Sequence, residues 1–165
     1  MKKSKSKDEK DDRKVVATNR RALIKYEILE TLEAGLVLTG PEVKSLRAGA
    51  ANLSEGFARC DNGQADLWNV HISPYSYGSL HVEQNPLRTR RLLLSKRQIM
   101  NWMGRSVAKG LTIVPLEIYF NHHGRAKIKL ALAKGKRGPD RREDIKRRTV
   151  QREIQRDFAG RHRIK

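Results

Sequence analysis

Apolar and polar residues alternate with period two along several stretches of this chain, most cleanly over residues 126–133. There Ile128, Leu130 and Leu132 fall on one side and Lys127 and Lys129 on the other, the pattern of a strand with two unlike faces. Residues 111–120 are also strand-like, but Pro115 inside them implies an edge or a bulge, because proline offers no N–H to a ladder. Residues 57–60 and 65–72 flank Asp61-Asn62-Gly63-Gln64, and Asn-Gly between two such runs predicts a hairpin. Residues 26–33 have mixed periodicity. Tyr26, Ile28 and Leu32 share one parity, Glu27 and Glu33 the other, and helix propensity is also good. Gly35 and the run Leu36-Val37-Leu38 decide for a long strand bent at Ala34-Gly35.

Two segments read as helices. Gly40-Pro41 opens a short one, since proline loses no hydrogen bond in a first turn and Glu42 suits the positive helix end. Val43 and Leu46 face inward, Lys44, Ser45 and Arg47 face outward, and Gly49 ends the helix. Ser95 caps a second helix running through about Met103, with Leu94, Ile99 and Met103 on one face and Gly104 as its stop. Residues 74–86 read as a loop and Asn121-His122-His123-Gly124 as a turn. About six strands with two or three short accessory helices, in so short a chain, predict a mainly β fold: a closed β-barrel of the oligonucleotide-binding type. No internal repeat is visible, which excludes solenoids.

Charge sharpens the domain plan. Of the net +18, residues 134–165 carry +8 and residues 1–22 carry +5, so the 111 residues between them are only mildly basic. Residues 1–15 are mostly Lys, Ser, Asp and Glu, lack aromatics, and are expected to form a disordered basic arm. Order is expected to begin near Val16, a barrel domain to span 16–133, and a basic tail to occupy 134–165. So large a charge opposes compaction and points to a polyanionic partner, nucleic acid first, since neutralised phosphates release counterions. A membrane partner is disfavoured by the lack of an apolar run near 18 residues and of a lipidation motif. Met1-Lys2-Lys3 has no apolar core behind it, as a secretory signal would. The single Cys60 excludes an internal disulfide and a cysteine-based zinc site, and fits a half-buried strand position in a cytoplasmic protein.

Catalytic chemistry finds little purchase. His122 and His123 are neighbours expected to diverge, with no Cys, Asp or Glu at ligand spacing, so no metal is expected. His71 reads as a structural or surface histidine, and no phosphate-loop pattern occurs. Basic clusters are more specific. Arg88, Arg90 and Arg91 place three guanidinium groups just before Leu92-Leu93-Leu94, and arginine forks fit phosphate bidentately. On a helical wheel the tail stacks Arg148, Arg152 and Arg156 on one face, flanked by Arg141 and Arg142, with Val150, Ile154 and Phe158 opposite. Three apolar residues cannot hold such a helix alone, so it is expected to fold on binding.

Several segments carry a resemblance. They are 33–38 (EAGLVL), 40–47 (GPEVKSLR), 85–94 (NPLRTRRLLL), 110–116 (GLTIVPL) and 131–142 (ALAKGKRGPDRR). In this order they resemble the SmpB family, the tmRNA-binding proteins of bacterial trans-translation. The resemblance implies a barrel that grips the tRNA-like domain of tmRNA at its elbow and stands in for the missing anticodon arm. It implies delivery with elongation factor Tu and GTP to a stalled ribosome, where the tail folds into a helix in the vacant messenger channel beside the decoding centre. It implies no catalytic site and no cofactor, and a monomer on the RNA. By residue, it implies tmRNA contacts at Asn19, Arg20, Glu33, Lys44, Arg47, Arg88, Arg90, Arg91, Leu93, Lys127, Lys129 and Lys134. Asn19 would meet a base edge, and Glu33 an exocyclic amine, a 2′-hydroxyl or a neighbouring arginine. Ribosome contacts would fall on Lys136, Arg137, Pro139, Asp140, Arg141, Arg142, Lys146, Arg148, Arg152 and Arg156. Pro139 stands where members often carry an aromatic or histidine, and Arg141 where Lys is usual.

Two other classes compete. A nucleic-acid enzyme with a basic tail needs a carboxylate or histidine cluster, and none is legible. A general single-strand-binding barrel would stack bases on exposed aromatics, which are few in this chain: Trp68, Trp102, Tyr75, Tyr77, Tyr119 and Phe120 among them.

Overall fold

The computed structural model describes residues 13–75 and 85–136. The chain divides into two units, Met1–Gly135 and Lys136–Lys165, and the described elements all belong to the first. The expected arm before residue 13, most of the 74–86 loop and the tail beyond Lys136 lie outside the described residues.

In chain order the elements are β1 (Lys14–Thr18), α1 (Arg20–Lys25), β2 (Tyr26–Leu36), α2 (Gly40–Arg47), β3 (Ala51–Asn52), β4 (Phe57–Asp61), β5 (Gln64–Trp68), β6 (His71–Ile72), β7 (Arg90–Leu93), α3 (Lys96–Lys109), β8 (Thr112–Phe120) and β9 (Ala126–Gly135). The mainly β class holds, with nine strands and three helices among the described residues. Six strands pair in a circuit, β8–β4–β5–β7–β2–β9 and back to β8, all antiparallel. On one edge β8 pairs with β9; on the other it serves β4 at Ile113 and β1 over Glu117–Phe120. β3 and β6 form a separate two-stranded sheet.

Several sequence expectations match. The Asn62-Gly63 hairpin joins β4 to β5, with φ of 47° and 73° at the two turn residues, the left-handed pair that a two-residue turn requires. Pro115 sits at a bulge, where the register against β9 shifts between Pro115 and Glu117. The long strand 26–36 is present, although its register shift lies between Ile28 and Glu30 rather than at Ala34-Gly35.

The differences have physical reasons. The strand expected over 65–72 breaks at Asn69, which adopts φ 53° and divides β5 from β6. The second helix runs past Gly104 to Lys109 and stops at Gly110, whose φ of 57° makes the left-handed cap. Burial of Ile99 and Trp102 on one face holds that helix, and Trp102 Nε1 donates to Glu30 at 3.3 Å. One interior glycine costs only about 1 kcal/mol against such packing. Ser45, expected outside, is buried in α2. Strand β1 begins at Lys14, two residues before the expected start of order, because Lys14 and Val15 pair with Phe120 and Tyr119. α1 has six residues and was not legible as a helix.

Two cores result. The larger joins Leu36, Leu46, Leu67, Ile72, Ile113, Ile118, Ile128, Leu130, Leu132 and Trp102 on the inner side of the strand circuit. The smaller lies on the outer side, where Ala22 of α1 packs on Val114, Ala131 and Ala133. Gly56, just before β4, is buried. A Cβ there would lie 2.5 Å from Val70 Cγ2 and 3.1 Å from Pro115 Cγ. Gly56→Ala is therefore expected to destabilise by about 1–3 kcal/mol through overpacking. The urea midpoint measures this, whereas Gly104→Ala, with open space around its Cβ position, should leave it unchanged or raise it.

Candidate nucleic-acid interface

The residues singled out in the sequence fall into three places. On the outer sheet face, register rows run Leu93–Gly35–Lys127–Tyr119 and Glu33–Lys129–Glu117 across β7, β2, β9 and β8. Glu33, Leu93, Lys127 and Lys129 thus share one face. Lys127 Nζ lies 3.0 Å from Glu33 Oε1, and the Tyr119 hydroxyl donates to the same carboxylate. The bond from Tyr119, with help from Lys127, holds Glu33 below the usual carboxylate range, while burial and Glu33 push Tyr119 up. Glu33 is therefore a fixed anion facing solvent, able to accept from a hydroxyl or amine. Arg13 extends the same strip, bonding Glu117 at 3.2 Å and lying over the Tyr119 ring. Leu93 is 59% exposed, and Gly35 leaves room beside it: a Cβ there would lie 3.1 Å from Leu93 Cβ. Arg91, also exposed, reaches Gln64 and lies 3.6 Å from Asp66. Lys134 is exposed at the end of β9.

The second place is α2 and the segment before β7. Glu42 forms a capping box with Thr39, accepting from Thr39 N at 2.8 Å. The same carboxylate takes Arg88 Nη2 at 2.6 Å and Arg90 Nε at 2.7 Å. Arg90 Nη1 and Nη2 donate to the carbonyls of Val70, Arg88 and Pro86 at 2.7, 2.9 and 3.0 Å. Burial pushes Glu42 up, but the bonds from Arg88 and Thr39 and the charge of Arg90 outweigh it and hold the carboxyl at about 2. Arg90 corrects the expectation of three phosphate-facing guanidiniums. It is completely buried and its donors are spent on carbonyls and Glu42, because a buried charge must be paired and hydrogen-bonded. Arg88 remains 40% exposed while leaning on Glu42. Lys44 lies over the Tyr75 ring at 5.3 Å and Arg47 over Phe120 at 5.6 Å, both exposed on α2. Sequence reasoning took Glu42 for a helix-end charge only; the spacing Arg88-x-Arg90 after an Asn-Pro turn was the signal that these guanidiniums need a carboxylate partner.

The third place is the β1–α1 junction. Asn19, expected at a base edge, is 4% exposed. Its Nδ2 donates to Leu53 O and Pro115 O, each at 3.0 Å, and its Oδ1 accepts from Ala22 N at 3.1 Å as the α1 cap. Every polar atom of the amide is used internally, so Asn19 supports the scaffold. Arg20 is exposed on α1. The tail positions Arg137, Pro139, Asp140, Arg141, Arg142, Lys146, Arg148, Arg152 and Arg156 lie outside the described residues.

Among the described residues no group of three His, Cys, Asp or Glu is placed to hold a metal. The His122 and His123 rings, expected to diverge, instead lie with centroids 3.8 Å apart, yet no third ligand joins them. No described helix is long and apolar enough to cross a membrane.

Two predictions follow from these bonds. Asn19→Ala removes the cap and strands two buried carbonyls, at a cost of about 2–4 kcal/mol, and Asn19→Asp, which turns a carboxylate oxygen toward those carbonyls, should be at least as damaging. Equilibrium urea unfolding reads both; an Asn19 that served only a base would leave the midpoints in place. The Glu42 carboxyl is held at about 2 against an ordinary 4.5, so its share of stability is complete above pH 4.5 and lost as pH falls through 2. That share is about 3 kcal/mol. Urea midpoints between pH 7 and pH 2 should fall less steeply in Glu42→Gln, which is already destabilised at pH 7.

Known proteins resemble this chain over most of its length. The family model described as "SmpB protein" matches residues 16–160. The SsrA-binding protein of Pelotomaculum thermopropionicum is 55% identical over 92% of this chain and 97% of its own. That of Enterococcus faecalis is 49% identical over 93% and 99%. A chain from the solved structure described as "tmRNA-SmpB: a journey to the center of the bacterial ribosome" is 48% identical, with a TM-score of 0.64, covering 84% of this chain and 95% of its own. With the match spanning nearly all of the folded unit and continuing into the tail, the chain belongs to the SmpB family.

Proposed function

We propose that this chain is a tmRNA-binding adaptor for trans-translation, without catalytic chemistry of its own. The observation that carries the reading is the shared outer face of Glu33, Leu93, Lys127 and Lys129 in a chain of this family. A fixed anion, an exposed apolar side chain and two lysines suit a structured RNA elbow, which offers 2′-hydroxyls, unstacked bases and phosphates together. The strand circuit acts as a closed barrel of the oligonucleotide-binding type and grips the tRNA-like domain. Arg20, Lys44, Arg47, Arg88, Arg91 and Lys134 add phosphate contacts around it, while Arg90 and Asn19 hold the scaffold that positions them.

In this reading, tmRNA and protein arrive at the A site of a stalled ribosome with elongation factor Tu and GTP, one protein per RNA, in the cytoplasm. The tail from Lys136 lies in the vacant messenger channel and turns helical there, its Arg148, Arg152 and Arg156 stripe toward ribosomal RNA. Pro139 packs near the decoding centre by shape, and Lys136, Arg137, Arg141, Arg142 and Lys146 supply charge.

The test compares the full chain with a chain ending at Lys136 for tmRNA affinity, with bulk tRNA as competitor, at two salt concentrations. Both should prefer tmRNA, the shorter chain with a shallower salt dependence. Only the full chain should support tagging in a reconstituted translation reaction. A shorter chain that lost its preference for tmRNA would sink the assignment of recognition to the folded unit.

A further inference from the structure

The corner between α2 and the β8–β9 turn brings unpaired cations and two adjacent imidazole rings close together. Seven ion pairs tie cations to carboxylates among the described residues: Arg13 with Glu117, Arg21 with Glu55, Arg88 and Arg90 with Glu42, Arg91 with Asp66, Arg105 with Glu30, and Lys127 with Glu33. Among the described residues, Lys44, Arg47 and Arg125 have no carboxylate partner. The hairpin that ends in this turn brings none, since no Asp or Glu occurs from Ile118 through Lys136. Unneutralised neighbours repel one another, so a corner of this kind favours an anionic occupant.

The corner is also rigid. Gly124 N donates to Asn121 O at 2.8 Å and Arg125 N to Asn121 Oδ1 at 2.9 Å, closing the turn, with Gly124 at φ 69°. Turn and helix approach closely: a Cβ on Gly124 would lie 3.9 Å from Arg47 Nη2. Arg47 is aimed by the Phe120 ring, the last residue of β8, and cation–π contact restricts where its charge can go. On the turn itself the exposed His122 and His123 rings lie 3.8 Å apart and tilted by 46°. Two flat side chains beside fixed cations form a surface for a nucleotide: phosphate on the guanidiniums, base on a ring.

Resting on the reading that the chain binds tmRNA, we propose that the β8–β9 turn is a further RNA contact. Arg125 and Arg47 take a phosphodiester and the His122–His123 pair takes the face of an unstacked base. The turn thereby joins the outer sheet face, which it continues from Lys127, to the cations of α2.

The experiment titrates tmRNA with the full-length chain and three variants across a salt series, with bulk tRNA as competitor. Arg125→Ala should weaken binding about 3- to 10-fold and lower the slope of log affinity against log salt by nearly one; Arg125→Lys should restore the slope. The double variant His122→Ala/His123→Ala should weaken binding by about tenfold with little change in slope. Lys109→Ala on α3, a single charge removed away from the corner, should do neither. Thermal midpoints should stay at the wild-type value, since these side chains are exposed. Unchanged affinity and slope in both turn variants, with the wild-type chain still preferring tmRNA, would overturn the turn contact alone. Equal losses from Lys109→Ala and Arg125→Ala would overturn it too, by showing that total charge rather than the corner matters. A wild-type chain with no preference for tmRNA would overturn the parent reading and this one with it.

Discussion

Strand β8 must serve two neighbours on one edge, and the rest of the fold depends on how the gap between them is filled. Ile113 pairs with β4 and residues from Glu117 onward pair with β1. Between them lie Pro115, which has no N–H, and two carbonyls that neither strand takes. Asn19 takes both: its side chain donates to Pro115 O and its backbone N–H to Leu116 O, at 3.0 and 2.7 Å. The same amide reaches Leu53 O and caps α1. One residue, through its backbone N–H and its side-chain amide, therefore substitutes for a missing length of strand and starts the helix that covers the outer core. Without it the circuit would hold buried, unpaired carbonyls at the place where it closes, and such groups cost far more than a single bond returns.

This explains what could be read in advance and what could not. The strand pattern was legible wherever one face is dry and the other wet: Lys127 and Lys129 against Ile128 and Leu130, or the turn at Asn62-Gly63. Past Lys129 the outer face of β9 changes to Ala131 and Ala133, because α1 covers it and only small side chains fit under Ala22. Period two cannot report that change, and Arg20–Lys25 is too short to show a helical period of its own. Asn19 and Arg90 read from the sequence as RNA contacts, and the polar atoms of both side chains bond within the chain. Sequence identifies a polar residue in an apolar context; only geometry tells whether its partners are carbonyls of the same chain or atoms of another molecule.

The charges sort by the same criterion. Arg90 with Glu42 is internal: the pair fixes the chain reversal before β7 against the first turn of α2, and Thr39 N and Arg88 share the same carboxylate. Such a clamp adds little net stability over an apolar substitute, since desolvation opposes the Coulomb attraction. Its effect is to fix direction. Lys44 and Arg47 project from a helix whose N-terminus is held at Glu42, and their charged ends rest on Tyr75 and Phe120. Cations placed in this way have surrendered rotamer freedom before any phosphate arrives, so less of the Coulomb gain is spent on ordering them.

The division between matched and unmatched cations then separates two kinds of recognition within one chain. On the outer sheet face Lys127 is tied to Glu33, so in the proposed reading that face would offer RNA both donors and acceptors, and hydrogen-bond geometry would discriminate there. At the corner of α2 and the β8–β9 turn Lys44, Arg47 and Arg125 have no carboxylate partner among the described residues, and the attraction they would exert on phosphate is nearly indifferent to sequence. A nonspecific polyanion binder needs only the second kind; a protein that must choose one folded RNA among abundant tRNAs needs the first to set identity and the second to supply affinity. Finding both on the same rigid circuit of strands, joined by a five-residue turn from Asn121 to Arg125, favours a reader of RNA shape over a charged sleeve.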